Sequence, residues 1–283
     1  MLLLEYKKQF STALKKEYPV EEISSFFNIL TAHYLNVTRL DLALDPKKEI
    51  SSEELIIFDK ILLQLQQHEP IQYIIGETEF FGLKFQVDKN VLIPRPETEE
   101  LVSWILTDLS ENKTSALKIL DIGTGSGCIA ISLAKNLPNS KLTALDISEE
   151  ALKIASNNAE LNGVKVVFEN KDILNLDKPL DSFDIIVSNP PYVRDLEKKE
   201  MHRNVLENEP EAALYVRDND PLVFYEAITK LAHFNLSKGG YLYFEINQYL
   251  AKETEELMQE SGFKTNLKKD IFGNFRMIRG IKQ

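Results

Sequence analysis

The sequence predicts an α/β fold, in which a mostly parallel sheet is covered by helices on both faces and preceded by a small helical bundle and a β-hairpin. Three observations predict it. From residue 117 onward, short segments of strand composition alternate with segments of helical periodicity, which is typical of parallel sheets with helical crossovers. Residues 1 to about 68 carry helical periodicity. A loop with three glycines follows the first strand of the alternating part, where open α/β sheets bind ligands.

The first predicted domain, residues 1–70, is a bundle of helices. Apolar residues recur at helical spacing over 3–14 and again over 23–34. Ser51-Ser52-Glu53-Glu54 has the pattern of a capping box, so another helix is predicted to begin there and to run through Leu65. The apolar stripes of these helices are predicted to form a core, and nothing in this domain indicates catalysis.

Residues 71–93 predict a β-hairpin that links the bundle to the rest of the chain. Ile71–Gly76 and Leu83–Val87 have strand composition, and the residues around them favour turns. A proline-stiffened loop over Ile93–Glu99 then leads into a helix near Leu101–Leu109. Residues 94–283 are predicted to form one larger domain.

The larger domain is predicted to alternate strands with helices. Its predicted strands are Leu117–Ile122, Lys141–Leu145, Val164–Phe168, Phe183–Ser188, Tyr241–Ile246, Phe263–Leu267 and Phe275–Ile278. Its predicted helices end near Leu137, cover Ser148–Asn162, cover Leu222–Phe234, and follow the Tyr241–Ile246 strand. Each helix between two strands provides the crossover that a parallel sheet requires.

Composition narrows the class of function. The 283 residues carry a net charge of −11 and a sequence pI near 5.0, which disfavours a chain that coats itself in nucleic-acid phosphates. Cys128 is the only cysteine, so an intrachain disulfide is excluded and a reducing, cytoplasmic location is expected. The four histidines lack metal-ligand spacing, and no metal site is expected. No segment has the length of a membrane span or the pattern of a signal peptide.

The glycine loop predicts a nucleoside site. It runs from Asp121 to Gly127 between a predicted buried strand and a helix, and Asp146 ends the next strand, where a carboxylate can accept hydrogen bonds from ribose hydroxyls. A dinucleotide fingerprint would place its last glycine at 128, where Cys128 stands, and no Walker lysine follows. S-adenosylmethionine, a nucleoside without pyrophosphate, is therefore the predicted ligand. A purely structural turn is the alternative.

The predicted cofactor site combines this loop with the ends of three neighbouring strands. Asp172 is predicted to bind the adenine amino group, and Ile173 to pack on the ring. The residues predicted to bind the cofactor are Asp121, Gly123, Thr124, Gly125, Ser126, Gly127, Asp146, Asp172, Ile173 and Asn189.

The turn Asn189-Pro190-Pro191-Tyr192 predicts the second half of the site, since it ends the strand expected beside the first. The Asn189 side-chain oxygen and the Pro190 carbonyl can accept the two hydrogens of a flat NH₂ group. Prolines have no N–H and fix φ, so these acceptors stay rigid. Tyr192 is predicted to stack on the group. Asn189, Pro190 and Tyr192 are the predicted catalytic residues, and Pro191 joins them in binding substrate. The alternative is a strand-ending proline turn.

Three stretches of the sequence together resemble the HemK/PrmC family, the methyltransferases that modify the glutamine of the Gly-Gly-Gln motif in class I peptide chain release factors. They are Glu69–Gly76 with Glu79–Gly82, Val91–Glu99, and the glycine loop with the Asn-Pro-Pro-Tyr turn. The resemblance covers nearly the whole chain. The loop Ile-Pro-Arg-Pro-Glu-Thr-Glu is its most specific part, because the Asn-Pro-Pro-Tyr turn also occurs in adenine and guanine amino-group methyltransferases.

The resemblance implies a seven-stranded Rossmann-like methyltransferase sheet with an antiparallel final hairpin. It implies that the turn after Ser188 holds the glutamine amide, that the glycine loop and Asp146 bind S-adenosylmethionine, and that the N-terminal bundle helps to grip the release factor. The chain departs from the family pattern at Ile173, which is often aromatic in relatives, and after Leu214, where glycines are missing.

Two questions stay open: the role of three charged residues, and which of three functions the chain has. Arg95, Glu97 and Glu99 either line the pocket or brace their loop through ion pairs. The chain either methylates protein glutamine or acts on an amino group of adenine or guanine in nucleic acid. A third alternative for its function is a non-catalytic nucleoside-binding module, which the presence of Asn189 and Tyr192 disfavours.

Overall fold

The computed structural model of the protein describes residues 1–110, 116–176 and 181–283. In these residues the α-helices are, in chain order, α1 Leu3–Leu14, α2 Val20–Leu35, α3 Arg39–Leu44, α4 Ser52–Gln66, α5 Ile71–Ile75, α6 Pro96–Asp108, α7 Cys128–Asn136, α8 Glu149–Leu161, α9 Arg203–Asn208, α10 Glu211–Leu214, α11 Val223–Asn235 and α12 Ala251–Glu260. The strands are β1 Glu77–Phe80, β2 Leu83–Gln86, β3 Lys118–Ile122, β4 Lys141–Asp146, β5 Val166–Asn170, β6 Phe183–Ser188, β7 Val193–Arg194, β8 Tyr215–Val216, β9 Leu236–Glu245, β10 Phe263–Lys269 and β11 Phe275–Lys282. The chain divides into one unit of residues 1–76 and 202–208 and a second of residues 77–201 and 209–283.

The first unit is helical, as its periodicity predicts. Apolar side chains from α1, α2 and α4 form its core, among them Phe10, Phe27 and Phe58, each fully buried. The predicted capping box is present: the Ser51 hydroxyl accepts from the Glu54 N–H, and the Glu54 carboxylate accepts from the Ser51 N–H. This reciprocal cap fixes the start of α4.

The predicted strand over Ile71–Gly76 is wrong. These residues form the short helix α5, which starts after Pro70 and ends at Gly76 in a left-handed conformation with φ 75°. Ile71 is buried in the core of the helical unit, so tertiary packing outweighs the strand propensity of three isoleucines. The hairpin itself begins at Glu77, and β1 pairs with β2 in antiparallel register.

The second unit contains the predicted seven-stranded sheet, with strand order β10-β11-β9-β6-β3-β4-β5. Strands β5, β4, β3, β6 and β9 run parallel, and β11 pairs antiparallel with β9 on one side and with the edge strand β10 on the other. Neighbouring residues of β3 face opposite sides: Ile119 packs in one buried apolar cluster and Leu120 in the other. The sheet is thus covered on both faces, and the fold class is confirmed.

The strand order determines where a ligand can bind. β3 lies at the centre, between β4 and β6. From β3 the chain first adds β4 and β5 on one side and then crosses to add β6 and β9 on the other side. The crevice outside the carboxyl ends of strands at such a switch point is the ligand site of open α/β sheets. No helix in the described residues is long and apolar enough to span a bilayer.

Candidate active site

A cavity of about 490 Å³ lies at the carboxyl ends of β3, β4 and β6. Ten of the residues predicted for the site line it: Gly123, Thr124, Gly125, Ser126, Asp146, Asp172, Ile173, Asn189, Pro190 and Pro191. The structure therefore brings the glycine loop and the Asn-Pro-Pro turn to one cavity. Asp121, Gly127 and Tyr192 are not among its lining residues.

The backbone of the glycine loop is already hydrogen-bonded to its neighbours. The N–H groups of Gly123 and Thr124 donate to the Leu145 carbonyl at 2.9 and 3.0 Å, and the Gly125 N–H donates to the Asp146 carboxylate at 2.8 Å. A phosphate-binding loop requires free backbone N–H groups that point at the phosphate. These three N–H groups are already used. The loop geometry agrees with the sequence-based exclusion of a pyrophosphate ligand.

Two glycines of the loop leave space that a side chain would fill. Gly123 and Gly125 have φ values of 72° and 55°, a conformation that favours glycine, and a Cβ added to either would meet no atom within 4 Å. Gly127 differs, since its Cβ would lie 2.8 Å from Ile131 Cδ1 and 3.1 Å from Ala155 Cβ. Gly127 therefore serves the packing of α7 against α8.

Asp121 lies beneath the loop and is fully buried. Its Oδ2 accepts a 2.6 Å hydrogen bond from the Thr124 hydroxyl, whereas Oδ1 makes no hydrogen bond of normal geometry to any described residue. Burial raises the pKa of Asp121 to about 7, and the Thr124 hydroxyl opposes this rise. The Ala130 backbone N–H also opposes the rise. A buried carboxyl attracts a cationic group nearby through its charge.

Asp146, the last residue of β4, and Asp172, which follows β5, lie at the cavity wall. Each Asp146 oxygen accepts one backbone N–H, from Gly125 and from Ser148, which leaves further lone pairs for a ligand. Burial raises the pKa of Asp146 above its usual value. Asp172 caps the short turn that follows it by accepting from the Leu174 N–H. Both carboxyl groups are thus fixed by backbone before any ligand binds.

The Asn-Pro-Pro-Tyr turn starts beside the glycine loop. Ser188, the last residue of β6, pairs with Ile122, the last residue of β3, and its hydroxyl donates to the Ile122 carbonyl at 2.6 Å. Asn189 and Gly123 are the next residues of the two strands. The Asn189 amide group donates through Nδ2 to the Thr98 hydroxyl at 3.3 Å. No described residue donates to Asn189 Oδ1, the atom predicted to accept a substrate hydrogen.

Tyr192 points to a buried carboxyl rather than to the cavity lining. Its hydroxyl donates to Glu245 Oε1 at 2.9 Å, and its backbone carbonyl accepts from Asn247 Nδ2 at 2.9 Å. Burial and the Glu245 charge raise the pKa of Tyr192 well above its usual range. The stacking role of Tyr192 stays a prediction.

Arg95, Glu97 and Glu99 separate into different roles. Arg95 lines the cavity and also pairs with the buried Glu209 at 2.5 Å, so both readings apply to it. The predicted loop over Ile93–Glu99 is too long, because α6 begins at Pro96; Glu99 lies in the first turn of this helix and accepts the Phe81 N–H at 2.6 Å. Glu97 does not line the cavity.

The sequence reasoning missed Thr98, Ile147 and Glu245. Ile147 follows Asp146, lines the cavity and is 63% exposed, an arrangement that suits a flat apolar ligand. Glu245 is a buried charge directly after the apolar run Tyr241–Phe244, which marks the position as unusual but does not reveal its hydrogen-bond partners. Cys128 is buried, and burial raises the pKa of its thiol to about 12, so it is a packed side chain and not an activated nucleophile.

Comparison with known proteins supports the same assignment of the two units. Residues 5–76 match the family described as PrmC N-terminal domain, and residues 113–277 match a methyltransferase domain. A release factor glutamine methyltransferase of Flavobacterium psychrophilum is 56% identical over 281 residues, covering 99% of each chain.

The chain belongs to the release factor glutamine methyltransferase family.

A second member of this family, from Bacteroides thetaiotaomicron, is 45% identical over 94% of this chain and 95% of its own. Among solved structures, a Thermus thermophilus 16S rRNA N2 G1207 methyltransferase is 19% identical with a TM-score of 0.55, covering 73% of this chain and 50% of that chain. That likeness shows the fold alone. The Rossmann-like methyltransferase fold expected for the larger domain is confirmed.

The residues present fit S-adenosylmethionine, the methyl donor of this class of enzyme. Asp121 is a buried carboxyl next to the loop that does not line the cavity, so it can attract the ammonium group of the cofactor's methionine end through its charge rather than by direct contact. Asp146 can accept from ribose hydroxyls, and exposed Ile147 and Leu174 offer apolar walls for the base. No group of three or more metal-binding side chains was found among the described residues.

Proposed function

We propose that this chain transfers a methyl group from S-adenosylmethionine to the side-chain amide nitrogen of the glutamine in the Gly-Gly-Gln motif of class I peptide chain release factors. Two relatives that span nearly its whole length carry the name release factor glutamine methyltransferase. The observation that carries the proposal is the position of Asn189. Its side chain lines the cavity beside the glycine loop, and its Nδ2 is held by a protein group.

The amide nitrogen is a poor nucleophile, because its lone pair is delocalised into the carbonyl group. In the proposed complex, Asn189 Oδ1 accepts one N–H of the glutamine amide and the Pro190 carbonyl accepts the other. Pro190 and Pro191 have no N–H groups and restricted φ angles, so the acceptors do not reorganise when charge develops. This pair holds the nitrogen still and stabilises the positive charge that it gains.

No general base is needed before transfer. When bound, S-adenosylmethionine supplies a methyl group on a positively charged sulfur, which keeps the electron pair of the broken C–S bond. The glutamine nitrogen forms the new N–CH₃ bond and then loses one N–H proton to solvent. Most of the rate is expected from holding the nitrogen in line with the methyl group.

The helical unit is proposed to recognise the release factor. It has its own core and its own match to the PrmC N-terminal domain. The net charge of −11 argues against stable binding to nucleic acid, which depends on lysine and arginine neutralising phosphates. A protein substrate used in translation also agrees with the expected cytoplasmic location.

The proposal is tested by methyl transfer from isotope-labelled cofactor. The acceptors are a class I release factor, the same factor with its motif glutamine changed to alanine, and single- and double-stranded nucleic acid. We expect label on the unchanged factor only, at the motif glutamine. Label on nucleic acid would favour the amino-group reading, and absence of label on every acceptor would contradict enzyme activity.

A further inference from the structure

Three side chains from separate segments form a hydrogen-bonded chain that ends at the cavity. Glu245 is the last residue of β9, Thr98 lies in the first turn of α6, and Asn189 follows β6. Asn189 Nδ2 lies 3.3 Å from Thr98 Oγ1, which lies 2.6 Å from Glu245 Oε2. Thr98 is 2% exposed and Glu245 1%, so water competes little for either group.

The available protons determine which of these three side chains donates and which accepts in each hydrogen bond. A threonine hydroxyl has one proton, and an ionised carboxylate can only accept. When the Thr98 proton goes to Glu245, the Thr98 oxygen has only lone pairs left for Asn189. It can therefore bind the NH₂ end of the Asn189 amide and repels the oxygen end.

We propose that Thr98 and Glu245 are positioning residues that set which end of the Asn189 side-chain amide faces the cavity. With Nδ2 held by Thr98, Oδ1 is the end that remains to accept an N–H of the substrate amide. In the reverse orientation, the Asn189 NH₂ group would face the substrate NH₂ group. Both groups are donors, so no hydrogen bond could form between them. This inference rests on the proposed function and adds to it the residues that prepare Asn189.

The surroundings of Glu245 favour its role as an acceptor. Its second oxygen, Oε1, accepts from the Tyr192 hydroxyl at 2.9 Å. Burial raises the pKa of Glu245 above its usual value; the hydrogen bonds from Thr98 and Tyr192 and the charge of Arg276 oppose this rise only in part, and Glu97 adds to it. Two hydroxyl donors and a nearby guanidinium are the environment that stabilises a carboxylate. Tyr192 and Arg276 thus contribute to the same arrangement.

The first test compares two substitutions at one position. Thr98→Val keeps the shape of the side chain and removes the hydroxyl, so the Asn189 amide loses its fixed orientation. We expect kcat to fall about 10- to 100-fold, because an oriented buried hydrogen bond is lost, while the dissociation constant of the cofactor stays within about twofold. Thr98→Ser restores the hydroxyl and is expected to recover most of kcat.

A matched control and a second variant keep the test independent of folding defects. Thr229 on α11 is also fully buried, and its hydroxyl makes no hydrogen bond to a described residue, so Thr229→Val is expected to leave kcat unchanged. Glu245→Gln keeps the shape but replaces one acceptor oxygen with NH₂, which forces Thr98 or Tyr192 to accept. We expect a fall in kcat of about tenfold or more with unchanged cofactor binding.

A double-substitution cycle, measured by single-turnover transfer of labelled methyl, decides whether Thr98 acts through Asn189. In an Asn189→Ala background, Thr98→Val should cause no further loss, because there is no amide left to orient. Full additivity would overturn the inference, as would a Thr98→Val or Glu245→Gln enzyme as active as the unchanged chain. If the unchanged chain labels no release factor, the proposed function itself fails.

Discussion

Gly127 is required for packing, although it belongs to the loop predicted to bind cofactor. It has a left-handed φ of 83°, and an added Cβ would meet Ile131 at 2.8 Å and Ala155 at 3.1 Å. Gly163 has a similar φ of 64°, but its added Cβ would meet nothing within 4 Å. The two glycines therefore separate the cost of backbone strain from the cost of overpacking.

Gly127→Ala is predicted to lower the free energy of unfolding by about 2 to 5 kcal/mol, since it adds a steric clash to the strain of a left-handed alanine. Gly163→Ala is the control and should cost about 1 to 2 kcal/mol from strain alone. Urea unfolding of both variants measures the difference. Equal losses in the two proteins would show that the contacts of Gly127 are unimportant.

Asp121 gives the cofactor site a predicted pH dependence. Burial raises its pKa to about 7, so in the ligand-free protein this carboxyl is mostly protonated below pH 7 and ionised above it. A cationic ammonium group prefers the ionised form, so cofactor binding should release a proton in this range. Affinity therefore falls as pH falls below 7.

Between pH 7.0 and pH 5.5 the dissociation constant of S-adenosylmethionine is predicted to rise about tenfold, as expected for a proton that must leave a group with a pKa near 7. Calorimetric titration at several pH values measures it. In Asp121→Asn, which has no ionisable group there, the same change in pH should have little effect. An equal pH dependence in both proteins would assign the effect to another group.

At the scale of elements, the sequence predicted strands and helices where local pattern and packing agree. Phe183–Ser188 was predicted and observed with the same bounds, because its apolar run is buried on both faces of the sheet. The strand predicted from Tyr241 begins at Leu236 instead. A Cβ on Gly240 would lie 2.9 Å from the Asp184 carbonyl oxygen, so this glycine permits close strand pairing rather than ending a strand.

The loop before α6 is held by an ion pair that sequence alone left open. The Arg95 guanidinium contacts the Glu209 carboxylate at 2.5 Å, and the Glu209 side chain is only 2% exposed. The Ile93 N–H also donates to Glu209, at 3.3 Å. The pair ties the segment before α6 to the segment before α10, two stretches far apart in sequence.

Arg95→Ala is predicted to lower the free energy of unfolding by about 1 to 3 kcal/mol, because it leaves the Glu209 carboxylate buried with one weak donor. Adding Glu209→Gln to this variant removes the unpaired charge and should recover part of the loss. Denaturant unfolding of the single and double variants measures the coupling. Independent, additive losses would contradict a structural role for the pair.

At the scale of the whole molecule, much of the candidate site was predictable because topology brings it together. Parallel strands place their carboxyl ends at one edge, so a loop after β3 and a turn after β6 meet once the strand order is known. Thr98 and Glu245 were not predictable in this way. Their roles depend on side-chain hydrogen bonds between α6, β9 and the turn after β6, which no local pattern encodes.

The central claim is that Asn189 binds the reacting amide and contributes little to cofactor affinity. Asn189→Ala tests it most directly, with kcat on a release factor and the dissociation constant of S-adenosylmethionine measured on the same preparation. Asn266→Ala, an exposed change on β10, is the matched control and should leave both values unchanged. We predict a fall in kcat of about 100-fold or more, the loss typical of one preorganised hydrogen-bonding partner, with cofactor affinity within about threefold. Equal losses in turnover and cofactor affinity, or an unchanged kcat, would contradict it.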